Sequence, residues 1–370
     1  MNRHLGSLGH PREPDLAPGR FYFPQLDGLR GLACLGVFFF HFAASSRSPI
    51  SPSVAAVAAA GSFGVDLFFI LSSFLITSLL LREQASAGRI HVLAFWIRRG
   101  LRIWPLYFLV VGIFVVLHRP PGWYVLGLLT FTSNWALAYH SYTSIATHLW
   151  SIAVEEQFYF CWPLILAACG RRWLPAVSLA MIGSSVVVRA WLLETRATQD
   201  TVWMHTFDRL EPLALGVLIA WLWPRVSGMW RVPAWTGLAS VGAAWALVAL
   251  VIRYWAAAET LLISPPIWTY TLVDGILAIV VCTALVAAPV GLLGHPILVY
   301  LGRISFGLYV FHFPVIHGVL NVVDTMSWPI RLSASFGLTL LLAAYSYRFL
   351  EQPFLRLKHR FTYVRSAPVP

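Results

Sequence analysis

The chain is written as apolar runs of about 20 residues, separated by short loops in which the basic residues collect. Runs of that length predict membrane-spanning helices, because about 20 residues rising 1.5 Å each cross a hydrocarbon core. Ten can be read, at about 28–46, 61–81, 101–118, 149–169, 174–194, 210–224, 235–255, 268–288, 299–321 and 331–351. An eleventh segment, Trp123 to Tyr139, is short and carries Thr, Ser and Asn near its middle.

Loop charge decides how the eleventh is treated. If it does not span, Arg98, Arg99, Arg102, Arg171, Arg172 and the basic run from Arg356 to Arg365 share one side with the N-terminal arginines. If it spans, Arg171, Arg172 and the whole C-terminal run face outward, against the positive-inside rule. The expectation is an all-α polytopic membrane protein of about ten transmembrane helices with both termini cytosolic, and 123–139 as a re-entrant or interfacial piece. Such a piece is tolerated only where protein or water satisfies its backbone. The predicted organisation is a cytosolic tail over 1–25, a transmembrane domain over 26–354 and a basic cytosolic tail over 355–370.

Composition agrees. Of 370 residues, 58% are hydrophobic and 11% charged, which lies outside soluble usage. The net charge of +11 punctuates apolar stretches and does not form a soluble patch, so it points to a membrane face and away from nucleic acid. Residues 1–25 have no apolar core and do not read as a secretory signal. Cys34, Cys161, Cys169 and Cys282 lie in apolar runs without metal-ligand spacing, so they are expected to be small buried hydrophobes, with no metal site.

The chemistry lies in the polar residues that interrupt these runs. Eleven residues at 100° each bring His41 to within about 20° of Arg30 on one face of the first span, about 16 Å further along. Asp27 shares that face. Arg98, Arg99 and Arg102 fall within one turn at the mouth of the third span; three guanidiniums so close call for an anion, and their forked donors suit phosphate. In "HLWSIAVEEQFYFCWP", His148 and Trp150 read as an outer interface. Ser151, Glu155, Tyr159 and Trp162 share a helix face, with Glu156 about 100° away. A carboxylate inside a span needs a wet cavity or a cation, and Glu155 is the better placed.

Weaker signals are Asp208, Arg209 and Glu211, which read as surface ion pairs. Ser305, Tyr309 and His312 lie on one face of the ninth span, and Arg348 and Glu351 read as a helix-end pair. Asp66 lies near the outer end of the second span, where it pairs with an arginine or faces water.

Six segments in order resemble the integral-membrane acyltransferase family 3, bacterial O-acyltransferases of surface polysaccharides and related acceptors. They are "LDGLRGLACLGVFFFHF", "GVDLFFILSSFLIT", "RRGLRIWPLY", "HLWSIAVEEQFYFCWP", "LGRISFGLYVFHFP" and "YRFLEQPF". The resemblance implies that Arg30 with His41, and Arg99 with Arg102, are the functional signatures. It implies cytosolic acyl-CoA, as acetyl-CoA, for the donor, held by Arg98, Arg99 and Arg102, and a carbohydrate or glycosylated acceptor on the outer side of a bacterial inner membrane. His41 would then act as general base or take the acyl group itself, with Arg30 stabilising negative charge and Glu155 orienting the imidazole. Two departures stand out: Ser73 replaces a usual glycine, putting a close backbone approach there in question, and Glu211 replaces a frequent aspartate. Some members also carry a C-terminal soluble domain, for which this chain is too short.

Two readings of other classes compete. A transporter would use the intramembrane His, Arg and Glu residues as a proton or substrate relay, but its internal repeats and paired broken helices are not visible. A scaffold would use the polar residues only to hold helices together.

Overall fold

The structure, a computed structural model, describes residues 21–45, 52–140, 142–229, 231–259, 267–287, 291–323 and 325–361; most of the two predicted tails lies outside them. In hydrocarbon each backbone N–H and C=O must be satisfied within its own segment, and apolar runs of this length satisfy them by coiling. In chain order the helices are α1 (Pro24–Ser45), α2 (Pro52–Ala60), α3 (Gly64–Ala87), α4 (Val92–His118), α5 (Gly122–Leu129), α6 (Ser133–His140), α7 (Trp150–Cys169) and α8 (Leu174–Glu194). They continue with α9 (Gln199–Met204), α10 (Leu210–Val226), α11 (Ala234–Glu259), α12 (Trp268–Val286), α13 (Pro296–Arg303), α14 (Ser305–Val322), α15 (Trp328–Ser346) and α16 (Gln352–Lys358). A π-helical turn, Tyr347–Glu351, joins the last two. Among the described residues β structure is confined to isolated bridge positions, one of them joining Val232 to Ala287.

Eight described helical segments are long and apolar enough to cross a bilayer. Two more, α10 at 17 residues and α15 at 19, coincide with the remaining expected spans. The protein is an all-α, multi-pass membrane protein. Leu109, Ile113, Val116, Leu250, Ile279 and Leu341 point outward from its helices, an apolar exterior that suits lipid. Segment 123–139 resolves into α5 and α6, eight residues each, packed on one another. At about 12 Å apiece neither can cross. The expected ninth span is broken at Ile304, giving α13 and α14. Cys161 and Cys282 lie on the exterior and were not expected there; Cys34 is buried.

Helix α3 is buried on all sides and belongs to both large apolar clusters. Ile76 and Leu80 fall in one cluster with Leu106 and Tyr107 of α4 and Phe158 of α7, while Ile70 and Phe74 fall in the other with Val273 and Val281 of α12. Its tightest crossing is with α10. A Cβ on Gly216 would stand 2.0 Å from Ser73 Oγ and 2.3 Å from the Ile70 carbonyl oxygen, so only glycine lets the axes meet. The close approach that Ser73 put in question is kept by the opposite helix, and Ser73 bonds back to the carbonyl oxygens of Phe69 at 2.8 Å and Ile70 at 3.2 Å. Likewise a Cβ on Gly302 would stand 1.9 Å from the Asp27 carbonyl oxygen, which locks α13 against the start of α1.

One polar cluster is structural. Arg189 of α8 donates to Asp208 at 2.7 Å and Glu211 at 2.8 Å, and Arg209 donates to Asp66 and Asp208 at 3.1 Å each. All five side chains are at most 1% exposed. The expected surface pairs of Asp208, Arg209 and Glu211 are therefore a buried network, because folding brings Arg189 and Asp66 to them from distant segments. The guanidinium of Arg209 also lies 4.4 Å from the Trp203 ring and 4.7 Å from that of Tyr270.

Gly216→Ala is expected to force α3 and α10 apart and destabilise the fold by about 1–3 kcal/mol. The readout is thermal unfolding in detergent; a midpoint equal to the parent's would mean that this crossing is not close.

Candidate functional site

Three α4 arginines share one turn, and the structure gives them different work. Arg98 donates to Glu83 at 2.7 Å and to the Phe361 carbonyl oxygen at 2.6 Å. Glu83 is buried and also receives the His91 backbone N–H at 2.9 Å. Arg98 is thus a clasp joining α3, α4 and the chain beyond α16. Arg99 instead lies over the rings of Tyr159, at 5.3 Å, and Phe95, at 5.6 Å. It shares an electrostatic neighbourhood with Arg102, Arg30, Glu155 and Tyr159.

Among the described residues, no carboxylate lies within ion-pair distance of Arg30, Arg99 or Arg102. The buried Nε of Arg30 has no hydrogen-bond partner at all. Three like charges in a poorly screened interior repel one another, so the arrangement is matched by an anion between them. Helix packing supplies the restraint: α1 is locked against α13 at Gly302, and Arg99 is wedged between two rings.

At the other end of α1 is a group of imidazoles. His312 Nδ1 faces the Tyr309 carbonyl oxygen at 2.5 Å, and its Nε2 faces His41 Nδ1 at 3.0 Å. His41 Nδ1 also faces the Val37 carbonyl oxygen at 3.1 Å. A carbonyl oxygen only accepts, so a neutral His312 carries its proton on Nδ1 and offers the Nε2 lone pair. His41 Nδ1 then donates to both acceptors, which leaves its Nε2 unprotonated. The two rings are 4.9 Å apart between centroids, with Phe313 edge-on to His41 at 4.9 Å. His148 adds a third imidazole 5.1 Å from His312. His148 is buried among the helices and donates from Nε2 to the Val310 carbonyl oxygen at 3.1 Å.

A polar seam joins the two ends. Tyr309 donates to the His148 carbonyl oxygen at 2.7 Å and accepts from Ser151 at 2.6 Å. Glu155, one turn along α7, accepts from Tyr159 and lies in the electrostatic neighbourhood of Arg30, Arg99 and Tyr309. The expected contact between Glu155 and His41 is not made: His312 holds that imidazole, and Glu155 belongs to the arginine end. Glu156 points away, as its helix position required, and accepts from Trp104 Nε1 at 2.8 Å. The expected Arg348–Glu351 pair does not form among the described residues. At the π turn Glu351 is reached by Ser346 Oγ at 3.3 Å, while Arg348 lies over Phe349. In the sequence His312 was visible only as part of a polar face shared with Ser305 and Tyr309; nothing there named His41 as its partner.

A family profile described as an acyltransferase domain matches residues 23–348. Curated relatives include "Putative peptidoglycan O-acetyltransferase YrhL" of Bacillus subtilis, 30% identical over 90% of this chain and 55% of its own length. "O-acetyltransferase OatA" of Staphylococcus aureus is 28% identical over 90% of this chain and 57% of its own. "Putative O-acetyltransferase SAR0937" of the same species is 29% identical over 94% and 60%. The chain therefore spans less than two thirds of the length of these relatives. No solved structure matches it.

Arg98→Ala strands a buried carboxylate and is expected to cost about 3 kcal/mol, whereas Arg102→Ala, which breaks no ion pair, is expected to change stability by less than about 0.5 kcal/mol. Paired detergent melts check this, and equal losses would contradict the division of labour between the two arginines.

Proposed function

We propose, for a chain that belongs to the acyltransferase domain family, that it is a membrane O-acyltransferase. In this reading it carries an acetyl group from cytosolic acetyl-CoA to a hydroxyl of a carbohydrate or glycosylated acceptor at the outer side of a bacterial cell membrane. The observation that carries the reading is an arginine pocket without a paired carboxylate among the described residues, which Arg30 of α1 shares with Arg99 and Arg102 of α4, at one end of the same helix that carries, further along, an imidazole with an unprotonated Nε2.

Arg30, Arg99 and Arg102 hold the donor's phosphates, whose negative charge stands where, among the described residues, no carboxylate comes within ion-pair distance. The thioester, at the far end of an extended pantetheine arm, runs along the polar seam, so the phosphates and the reacting carbonyl lie at opposite ends of α1. That separation is about 16 Å. His41 Nε2 removes the acceptor hydroxyl's proton as the oxygen attacks the thioester carbonyl. The tetrahedral intermediate collapses by breaking the C–S bond, and the proton held on His41 passes to the leaving thiolate, giving ester and free CoA. His312, by accepting from Nδ1, holds the imidazole in the tautomer that presents Nε2 and steadies the cation that forms. Glu155, fixed by Tyr159, shapes the field at the arginine end and does not touch the imidazole. The relatives' printed names support acetyl as the group and a glycan as the acceptor class.

His41→Ala is expected to lower acetyl transfer by at least about 10²-fold while leaving CoA binding intact. His312→Phe is expected to lower kcat with KM for the donor little changed. Transfer of labelled acetyl in proteoliposomes with a glycan acceptor panel is the measurement. Undiminished turnover in His41→Ala would remove this residue from the chemistry.

A further inference from the structure

Helix α16 ends on Lys358, which is half-buried and packs with its helix against α4, the helix that carries the arginine pocket. Just beyond it, the Phe361 carbonyl oxygen is clipped by Arg98 at 2.6 Å, so the chain just after α16 is tied to the helix that carries Arg99 and Arg102. Among the described residues, the cationic groups around the ammonium include Arg98, Arg99 and Arg102 of α4 and Arg30 of α1. Glu351, further back toward α15, faces Arg102 and is engaged by Ser346. A lysine set at the edge of three arginines that, among the described residues, have no carboxylate within ion-pair distance adds a fourth positive charge to a group of like charges. It also adds a mobile three-donor head beside rigid guanidinium forks.

We propose that Lys358 is a fourth phosphate-binding residue of the arginine pocket, carried in on α16, and that it takes a phosphate oxygen of the acyl donor. This rests on the acyl-CoA reading above. Burial, with the guanidiniums of Arg99, Arg102, Arg98 and Arg30 behind it, pushes the Lys358 ammonium down to about 7. The ammonium therefore keeps its charge below pH 7 and loses it as pH rises through that value, whereas a bound phosphate draws the proton back. Donor binding should consequently take up a proton near neutral pH and weaken toward pH 9. An arginine at this position would stay charged throughout.

The test is CoA titration by calorimetry on the full chain in phosphatidylcholine nanodiscs, at pH 7 and pH 9. The panel is the parent chain, Lys358→Gln, Lys358→Arg and Arg102→Ala, with pantetheine as the phosphate-free probe. At pH 7, Lys358→Gln is expected to weaken CoA binding about tenfold, Lys358→Arg to restore it and make it insensitive to pH, and pantetheine binding to be unchanged. If Lys358→Gln matches the parent while Arg102→Ala loses affinity, the role of Lys358 is overturned and the donor reading stands. If the parent chain binds no CoA, the donor reading falls and the proposal with it. Repeating the titration in discs containing phosphatidylglycerol separates the sources of phosphate. A Lys358→Gln effect that exists only with the anionic lipid would assign the residue to a headgroup and overturn the donor assignment.

Discussion

Three arginines, Arg30, Arg99 and Arg102, that share one electrostatic neighbourhood and, among the described residues, have no carboxylate at ion-pair distance set the terms for the rest of this protein. Three other arginines are paired. Arg189 and Arg209 are held by three carboxylates at 2.7–3.1 Å, and Arg98 is held by Glu83. The contrast carries meaning because leaving a buried cation unpaired is costly, and a fold that pairs three arginines so completely has not done so at the other three by default.

The paired network and the unpaired pocket depend on each other mechanically. The network ties the start of α3 to α8 and α10, and the glycine crossing of α3 with α10 fixes the same helices lower down. With α3 held, Glu83 can anchor Arg98, and α4 then has no freedom to swing Arg99 and Arg102 away from Arg30. At the opposite end, α14 delivers His312 to His41 and Tyr309 to His148, so the imidazole and the arginines are parts of one rigid assembly.

The intramembrane histidine is usable because its surroundings accept hydrogen bonds and carry no full charge. Two carbonyl oxygens and one imidazole nitrogen are enough to place the protons on His312 and His41. A carboxylate in that place would bind a proton from His41 more strongly, at the cost of another desolvated charge. Glu155 is spared for the arginine end, where opposite charge lowers that cost.

The membrane class and the position of nearly every span were legible from the sequence, and Arg30, His41, Arg99, Arg102 and Glu155 could be picked out there as candidates. Apolar runs of this length have one solution in hydrocarbon, and an ionisable residue inside one stands out against it. The fixed 3.6-residue repeat also set Arg30 and His41 on one face and turned Glu156 away from Glu155. Contacts between distant segments were decided only by the tertiary structure, since helical periodicity says which way a side chain points and nothing about what waits there. That is why Asp208, Arg209 and Glu211 looked like a surface cluster until Arg189 and Asp66 closed on them. For the same reason Arg98 could not be told from Arg102, and the partner of His41 came from 271 residues away instead of from α7.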